Sequence, residues 1–447
     1  MIISPFSADA CYNACMQDLL KHFEGYKRSR KGVKKDAREY KKALTKSAHK
    51  LLQNNFSRKQ VVNDGEFQVL DFFSGSGGMT AGFATIAKLI PGSFKILGGL
   101  DINEDAAQSY LKNFGAPAHI QDIRKLAKPE DLKEFLKKIG YDPKKPLVII
   151  GCTPCQGFTS HRKKNWEERD PRNDLVSIFA RIAVQLKPVC VVMENVPEMF
   201  SSKYKSYYQN AKRIFEEAGY TVHQKVYNTA TFGVPQERFR LLSMAMKKDF
   251  LLPEELYTRD QFLTVKDAIG DLPAIAPGER IVHDAFHFCA RHKPETVKVI
   301  QAVPKNGGNR PKGIGPKCLD KVKGYSDVYG RLSWERPSIT ITQYARNPAS
   351  GRYVHPEQDR GLSIREVARL QSFPDDFLFA GKFDSIFKQI GEAVPPKFSC
   401  AVASNVFIEL ISNGPNSEQT KVQGNYTLRP VSNSYAAMIS NAKSVTS

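Results

Sequence analysis

Several stretches of this chain carry side chains whose types and spacing can do chemistry. Cys152-Thr153-Pro154-Cys155 follows the run Pro146-Leu147-Val148-Ile149-Ile150-Gly151. A short apolar run rich in β-branched residues and bounded by Pro and Gly predicts a buried strand, and the loop at its carboxyl end is where open α/β sheets place their ligands. Pro154 stiffens the backbone ahead of Cys155. Cys155 is a candidate nucleophile, while the spacing from Cys152 also fits a thiol redox pair. Glu194 ends the apolar run Val189 to Met193 and continues into Asn195-Val196-Pro197. Burying such a carboxylate raises its pKa toward that of a proton donor, unless a neighbouring Arg holds it as a structural ion pair. Arg238 and Arg240 alternate with Phe239. A strand would put both guanidiniums on one face, suited to a carboxylate, a phosphate or a base edge.

The elements that must position these groups read as alternating strands and helices. Phe67 to Phe73 predicts a first strand, Ser74-Gly75-Ser76-Gly77-Gly78 a tight turn, and Met79 to Ile90 a helix. Lys95 to Asp101 predicts a second strand, Asn103 to Phe114 a helix, and the segment around Ile120, ended by Asp122, a third strand. Glycines in the turn let a ligand approach the backbone, and a strand-end acid can accept from ribose hydroxyls; either Asp101 or Asp122 also suits a helix cap. Together these strand ends favour an adenosyl ligand. Helices are expected over Asn173 to Leu186 and around Tyr207 to Ala218.

From Lys247 to Arg331 the βα rhythm fades into Pro, Gly and basic residues, notably Pro304 to Gly313. His283, His287 and His292 lie in this stretch without a metal-ligand pattern. Pro337 to Thr342 then predicts a strand, Ser363 to Gln371 a helix opened by a capping box of Ser363 with Glu366, and Pro395 to Ile411 an apolar helix.

At 447 residues the chain exceeds the roughly 250 to 300 that a single core organises, so more than one domain is expected. Its net charge of +20 attracts polyanions, and Lys and Arg crowd the stretch from Lys21 to Lys59. Tyr40, Leu44 and Leu51-Leu52 recur there at helical spacing, which fits a solvated helical face and phosphate contact alike. A mean hydropathy of -0.40 and the lack of a long apolar run exclude a membrane span on the sequence reading, and a reducing, cytoplasmic setting is expected. Eight scattered cysteines form no disulfide framework. Cys190, Cys318 and Cys400 read as buried thiols, and Cys11 with Cys15 lacks a second ligand pair, so no metal is expected.

In order along the chain, Asp71-Phe72-Phe73-Ser74-Gly75-Ser76-Gly77-Gly78, Pro154-Cys155-Gln156, Glu194-Asn195-Val196, Gln236 to Arg240, Arg336 to Thr340 and Arg365 to Pro374 resemble the blocks of the cytosine-specific DNA methyltransferases that act at ring carbon 5, of the restriction-modification type. The resemblance spans about residues 67 to 411. It implies a Rossmann-like α/β sheet of the S-adenosylmethionine-dependent methyltransferases, with a smaller, irregular target recognition domain. The expected divisions are a basic helical extension over 1–65, a catalytic and cofactor-binding domain over 66–246, a target recognition domain over 247–332, a return to the catalytic domain over 333–411 and a polar tail over 412–447.

The resemblance further implies that Cys155 adds to cytosine carbon 6, Glu194 holds or protonates ring nitrogen 3, and Arg238 and Arg240 position base and catalytic groups. A flipped-out base is implied as well. For the cofactor it points to Phe73, Gly75, Gly77, Asp101, Ile102, Asp122, Ile123, Pro154, Leu175, Ala393 and Val394; where the family has Asn before a small residue, this chain has Glu392. Implied partners are double-stranded DNA and a separately acting cognate restriction endonuclease, with a monomeric enzyme. Rival readings are RNA cytosine methylation, a CxxC oxidoreductase that leaves Glu194, Arg238 and the glycine turn without roles, and a DNA-binding protein with a decayed site.

Overall fold

A computed structural model describes residues 33–54, 56, 65–154, 170–321 and 327–412. Cys11, Cys15, the basic residues before Val33, Cys155 with Gln156, and the tail from Asn413 lie outside the described residues. The first element is helix α1 (Val33–Asn54), followed by β1 (Phe67–Phe72), α2 (Gly78–Leu89), β2 (Phe94–Asp101), α3 (Glu104–Phe114), β3 (Ala118–Ile120) and α4 (Pro129–Lys138). Then come β4 (Leu147–Gly151), α5 (Leu175–Gln185), β5 (Cys190–Asn195), α6 (Lys205–Glu217), β6 (Thr221–Asn228) and β7 (Phe239–Met246). These strands form one sheet in the order β3-β2-β1-β4-β5-β7-β6, parallel except for β7, which runs antiparallel to both neighbours.

The central strands β1, β2, β4, β5 and β7 are largely buried on both faces and their side chains alternate between two cores. Val69, Val148, Ile150, Val192 and Met244 face one core with α2; Leu70, Phe72, Ile149, Val191 and Leu241 face the other with α4, α5 and α6. The chain order reverses between β1 and β4, so a crevice opens outside their carboxyl ends, where the glycine turn and Cys152-Thr153-Pro154 emerge.

Beyond β7 the elements are short: α7 (Val265–Ile269), a hairpin of β8 (Arg280–Ile281) and β9 (Asp284–Phe288), α8 (Pro294–Gln301) and α9 (Cys318–Lys321). The apolar cluster of this region is small, built on Val299, Ile300, Val303, Val328, Tyr329 and Val354. Arg331 is fully buried beside it, donating to the carbonyls of Val303 at 3.0 Å, Ile300 at 2.9 Å, His355 at 3.1 Å and Gln358 at 2.8 Å. His287 and His292 are structural too: His287 bridges Ser363 Oγ and the Pro273 carbonyl, and His292 Nε2 accepts from the Gly361 amide.

Helices α10 (Ile364–Leu370), α11 (Phe383–Glu392) and α12 (Pro396–Ile411) return to the main core. The Ser363–Glu366 capping box of α10 is formed as expected. Nearly every residue of α12 is buried, which explains a composition apolar all round rather than on one stripe.

Two local expectations are corrected. Pro337 to Thr342 forms no strand; it lies extended against Pro235 to Glu237, and its only ladder contact is the bridge of Ser338 with Gln236. Its apolar alternation serves packing of Ile341 in the core instead of a sheet face. Cys318 is exposed at the start of α9, whereas Cys190 and Cys400 are buried as expected. Among the described residues no helix is long and apolar enough to cross a membrane.

Helix α1 packs into the main core through Leu44, Ala48 and Leu52, against α2 and α12. Its Lys41 is buried against Glu409 of α12, and His49 Nε2 bonds the Lys397 carbonyl at 2.8 Å. The basic face at Lys46 and Lys50 is exposed. The apolar stripe therefore belongs to the fold, and the charge lies on the other side. Leu52→Ala is expected to cost about 2–5 kcal/mol in urea unfolding because it leaves a core cavity. A loss below about 0.5 kcal/mol, the usual surface value, would mean that α1 is merely appended.

Candidate active site

The site is built from the carboxyl ends of β1, β2, β4 and β5 together with the start of β7. Phe73 leaves β1 in a left-handed conformation, φ 58°, with its ring 6.4 Å from that of Phe179. Gly75 has open space where a Cβ would stand, and its N–H donates to Asp101 Oδ2 at 2.8 Å. Gly77, at φ 91°, caps α2, and a side chain there would run into Phe114. Asp101 Oδ1 accepts from the Asn103 N–H at 2.8 Å, so this carboxylate ties the turn to the end of β2. The cap of α3 is Asn103, not Asp101. Ile102 is 74% exposed, an unusual position for a large apolar side chain.

Asp122 does cap a helix: it accepts from the Arg124 N–H at 2.9 Å and pairs with the Arg124 guanidinium at 2.5 Å. That hydrogen-bonded partner holds its carboxyl below the ordinary value. Ile123 and Leu175 are buried in the second core. Pro154 is partly buried at the end of the β4 segment. Ala393 and Val394 come next to the glycine turn, since a Cβ on Gly78 would collide with the Val394 carbonyl. Glu392 ends α11 and is exposed.

Glu194 is buried at the end of β5, and Arg240 Nε meets its Oε1 at 2.9 Å. Burial pushes the Glu194 carboxyl up, against the charges of Arg240 and Arg238. Both readings of this residue thus meet in one group: it is ion-paired, and it is still displaced toward the protonated form. Only one of the two arginines lies within the strand. Arg240 lies in β7, but Arg238 precedes it and is 2% exposed, donating to the carbonyls of Ile341 at 2.8 Å, Gly391 at 3.0 Å and Ala393 at 3.2 Å. Its first use is to hold the returning chain.

Cys152 Sγ is pushed well up by burial and by the carboxylates of Glu194 and Asp71. A thiol so held is a poor member of a redox pair, which needs a thiolate.

Sequence reasoning assigned no role to Asp71, Thr80, Tyr110 or Asn173. Thr80 Oγ1 donates to Asp71 Oδ2 at 2.6 Å and lies 3.1 Å from the Tyr110 hydroxyl, all buried beneath the turn. Asp71 Oδ1, Ser74 Oγ, Ser76 Oγ and Asn173 Oδ1 are buried polar atoms without a hydrogen-bond partner among the described residues. Nothing in the spacing of these residues signals the grouping, because the contacts run between elements.

A family model for the C-5 cytosine-specific DNA methylases matches residues 67–407. The type II methylase M.HgiDII of Herpetosiphon aurantiacus is 31% identical over 347 residues, covering 76% of this chain and 94% of the relative. The type II methyltransferase M1.HphI of Haemophilus parahaemolyticus is 34% identical over 361 residues, 78% of this chain and 89% of the relative. Among solved structures, a DNA modification methyltransferase encoded within an E. coli prophage superposes with a TM-score of 0.60 at 22% identity, covering 77% of this chain and 99% of that one. The Entamoeba histolytica methyltransferase EhMeth gives 0.54 at 15%, over 77% and 99%. The fold is thus the Rossmann-like sheet of the methyltransferases. The chain belongs to the C-5 cytosine-specific DNA methylase family.

Burial, with the Asp101 charge added and the Thr80 hydrogen bond opposing, pushes the Asp71 carboxyl up to about 7. An unfolded Asp titrates near 4, so the folded protein binds the extra proton between about pH 4 and 7, and stability falls as pH rises through that window. Asp71→Asn does not ionise. Its stability advantage over the wild type in urea unfolding is expected to grow by a few kcal/mol from about pH 5 to 7.5. A difference constant with pH would refute the shift.

Proposed function

We propose that this enzyme transfers a methyl group from S-adenosylmethionine to carbon 5 of a cytosine in a specific duplex DNA sequence, on a base flipped out of the helix. The observation that carries the reading is the buried Glu194–Arg240 pair at the end of β5, beside the β4 segment that leads into Cys155. The residues of the crevice fit the cofactor. Ser74 Oγ and Ser76 Oγ, which have no partner among the described residues, and the open side of Gly75 suit a polar, backbone-close ligand, and exposed Ile102 offers an apolar face to an adenine ring. Phe73, Gly75, Gly77 and Pro154 would hold the methionine part, Asp101 the ribose, and Ile102, Asp122, Ile123 and Leu175 the adenine, with Ala393 and Val394 closing the side by the turn. S-adenosylmethionine supplies the methyl group.

The protein's own residues prepare the base. Carbon 5 of cytosine is a weak nucleophile until the Cys155 thiolate adds to carbon 6 and makes the ring enamine-like. Glu194, kept toward its protonated form by burial, donates to ring nitrogen 3 as electrons move there. Arg240 orients Glu194 and returns it to the ion pair. Loss of the carbon 5 proton then releases Cys155. A base within a duplex is out of reach of a buried site, so the nucleotide is extruded.

Residues 247–332 form the target recognition domain and the net charge of +20 supplies backbone affinity. In this proposal the enzyme works in the cytoplasm as a monomer, alongside a separate restriction endonuclease.

Duplex DNA carrying 5-fluorocytosine traps the adduct, since fluorine cannot leave as the proton does. Wild type and Cys152→Ser are expected to give a denaturation-stable complex and Cys155→Ser none, while Glu194→Gln slows its formation by roughly 10²- to 10⁴-fold. Absence of adduct with the wild type, or methyl transfer to transfer RNA in preference to duplex DNA, would overturn the reading. Bisulfite sequencing of DNA from expressing cells reports the recognition sequence.

A further inference from the structure

Strands β4 and β5 run parallel with Gly151 opposite Met193, the last pair of their ladder. Two residues on, Thr153 stands across from Asn195, and a side chain takes over from the backbone. Asn195 Nδ2 donates to the Thr153 carbonyl at 3.0 Å and to Thr153 Oγ1 at 2.9 Å. Asn195 Oδ1 accepts from the Val196 N–H at 2.8 Å, so the amide is oriented at both ends. Thr153 and Asn195 are 3% and 2% exposed, so water does not compete for these bonds. Both amide hydrogens are spent on one residue, and that residue is followed directly by Pro154 and Cys155.

We propose that Asn195 and Thr153 form a latch that positions the nucleophile: it fixes the direction in which β4 delivers Pro154, and through it Cys155, relative to Glu194 on the neighbouring strand. The inference rests on the reading of Cys155 as nucleophile. A single bond to the Thr153 carbonyl leaves the strand end able to pivot about that oxygen. The second bond, to the hydroxyl, removes the pivot, and the β-branched Thr side chain has few rotamers with which to evade it. Pro154 has its φ locked by the ring, so a fixed Thr153 narrows the directions in which the chain can leave Pro154. Asn195 is adjacent in sequence to Glu194, so acid and nucleophile are referenced to the same strand end. Neither latch residue needs to touch substrate. Both are positioning residues, and their effect falls on the rate of attack and not on binding.

The test uses the full-length protein and a duplex in which 5-fluorocytosine replaces cytosine. Thr153→Val keeps shape and carbonyl but removes the hydroxyl, and is expected to slow adduct formation roughly ten- to hundredfold, because small misplacements of a reacting group cost that much. Its KM for S-adenosylmethionine and its DNA affinity stay within about twofold of wild type, a change too small to matter against the rate effect. Thr153→Ser restores the hydroxyl and recovers most of the rate. Asn195→Asp, which keeps the size but replaces the donor with an acceptor, is expected to lose more than Thr153→Val.

Thermal unfolding of each variant separates misfolding from misalignment. Should Thr153→Val not fold, the comparison of Thr153→Ser with Asn195→Asp decides the matter. Wild-type adduct rates in the hydroxyl-free variant, or no recovery with Ser, would overturn the latch while leaving Cys155 as nucleophile. If the wild type itself forms no adduct, the reading of Cys155 falls and the latch falls with it.

Discussion

The buried guanidinium of Arg238 is the constraint on which the assembly of this site depends. After β7 the chain leaves the sheet, and it must come back to close the crevice. Arg238 gathers three points of that return, the carbonyls of Ile341, Gly391 and Ala393, at a position with 2% exposure. Gln236 and Gln371 extend the arrangement: Gln236 Oε1 accepts from the Ile341 N–H at 2.8 Å, its Nε2 meets Gln371 Oε1 at 2.5 Å, and Gln371 Nε2 donates to the Ala393 carbonyl at 2.8 Å. A rigid, planar five-donor group suits this task, whereas a lysine at the same place would have to reach all three carbonyls from a single nitrogen. Replacing Arg238 would therefore strip several buried carbonyls of their donor at once. The same junction holds Val394 against Gly78, so the sheet, the glycine turn and the returning chain are one mechanical unit.

Charge in the crevice is poised rather than neutralised. Glu194, Asp71 and Asp101 are all pushed up by burial, and the arginines reach only the first of them. Arg240 contacts Glu194 directly, while the terminal nitrogens of Arg238 donate to backbone carbonyls. A carboxyl paired with one cation and still displaced upward holds a proton more readily than one in a fully satisfied ion pair. The contrast is Glu366, where burial also pushes the carboxyl up yet the bidentate Arg360 holds it down to about 2. That pair is structural. Burial alone does not distinguish the two glutamates; the number and geometry of their partners do.

How far the sequence carried this picture depended on whether the signal was local. Strand ends at Asp101 and Glu194 were legible because apolar runs stop abruptly at a polar residue, and the capping box at Ser363 was legible from spacing alone. The wide burial of α12 followed from its composition. Pro337 to Thr342 misled because alternation is common to a strand and to an extended segment packed on a core, and only a neighbouring ladder decides between them. Arg238 and Arg240 were legible as a pair, though the strand begins between them, at Phe239, and only the second lies within it. In α1 the crowd of lysines masked a stripe of Leu44, Ala48 and Leu52 that belongs to the core. The Asp71–Thr80–Tyr110 group was invisible, since its members come from three elements.

The region beyond β7 meets a different physical demand. It has few apolar residues to bury and many loops whose backbone must be satisfied. Arg331 answers by donating to four carbonyls and to Asp359 at 2.5 Å, and Arg360 by joining Glu366 while bonding the Ile275 carbonyl at 3.1 Å. Buried arginines thus stand where a larger domain would have a hydrophobic core. The order they impose comes from inside and is addressed to main-chain oxygens, which every sequence possesses. Exposed side chains of this region, such as Val282 at the β8–β9 hairpin, 93% exposed, contribute little to that order. A surface whose backbone is held from within can vary its outward side chains at small cost in stability, which is the property required by the sequence-reading role proposed for this region.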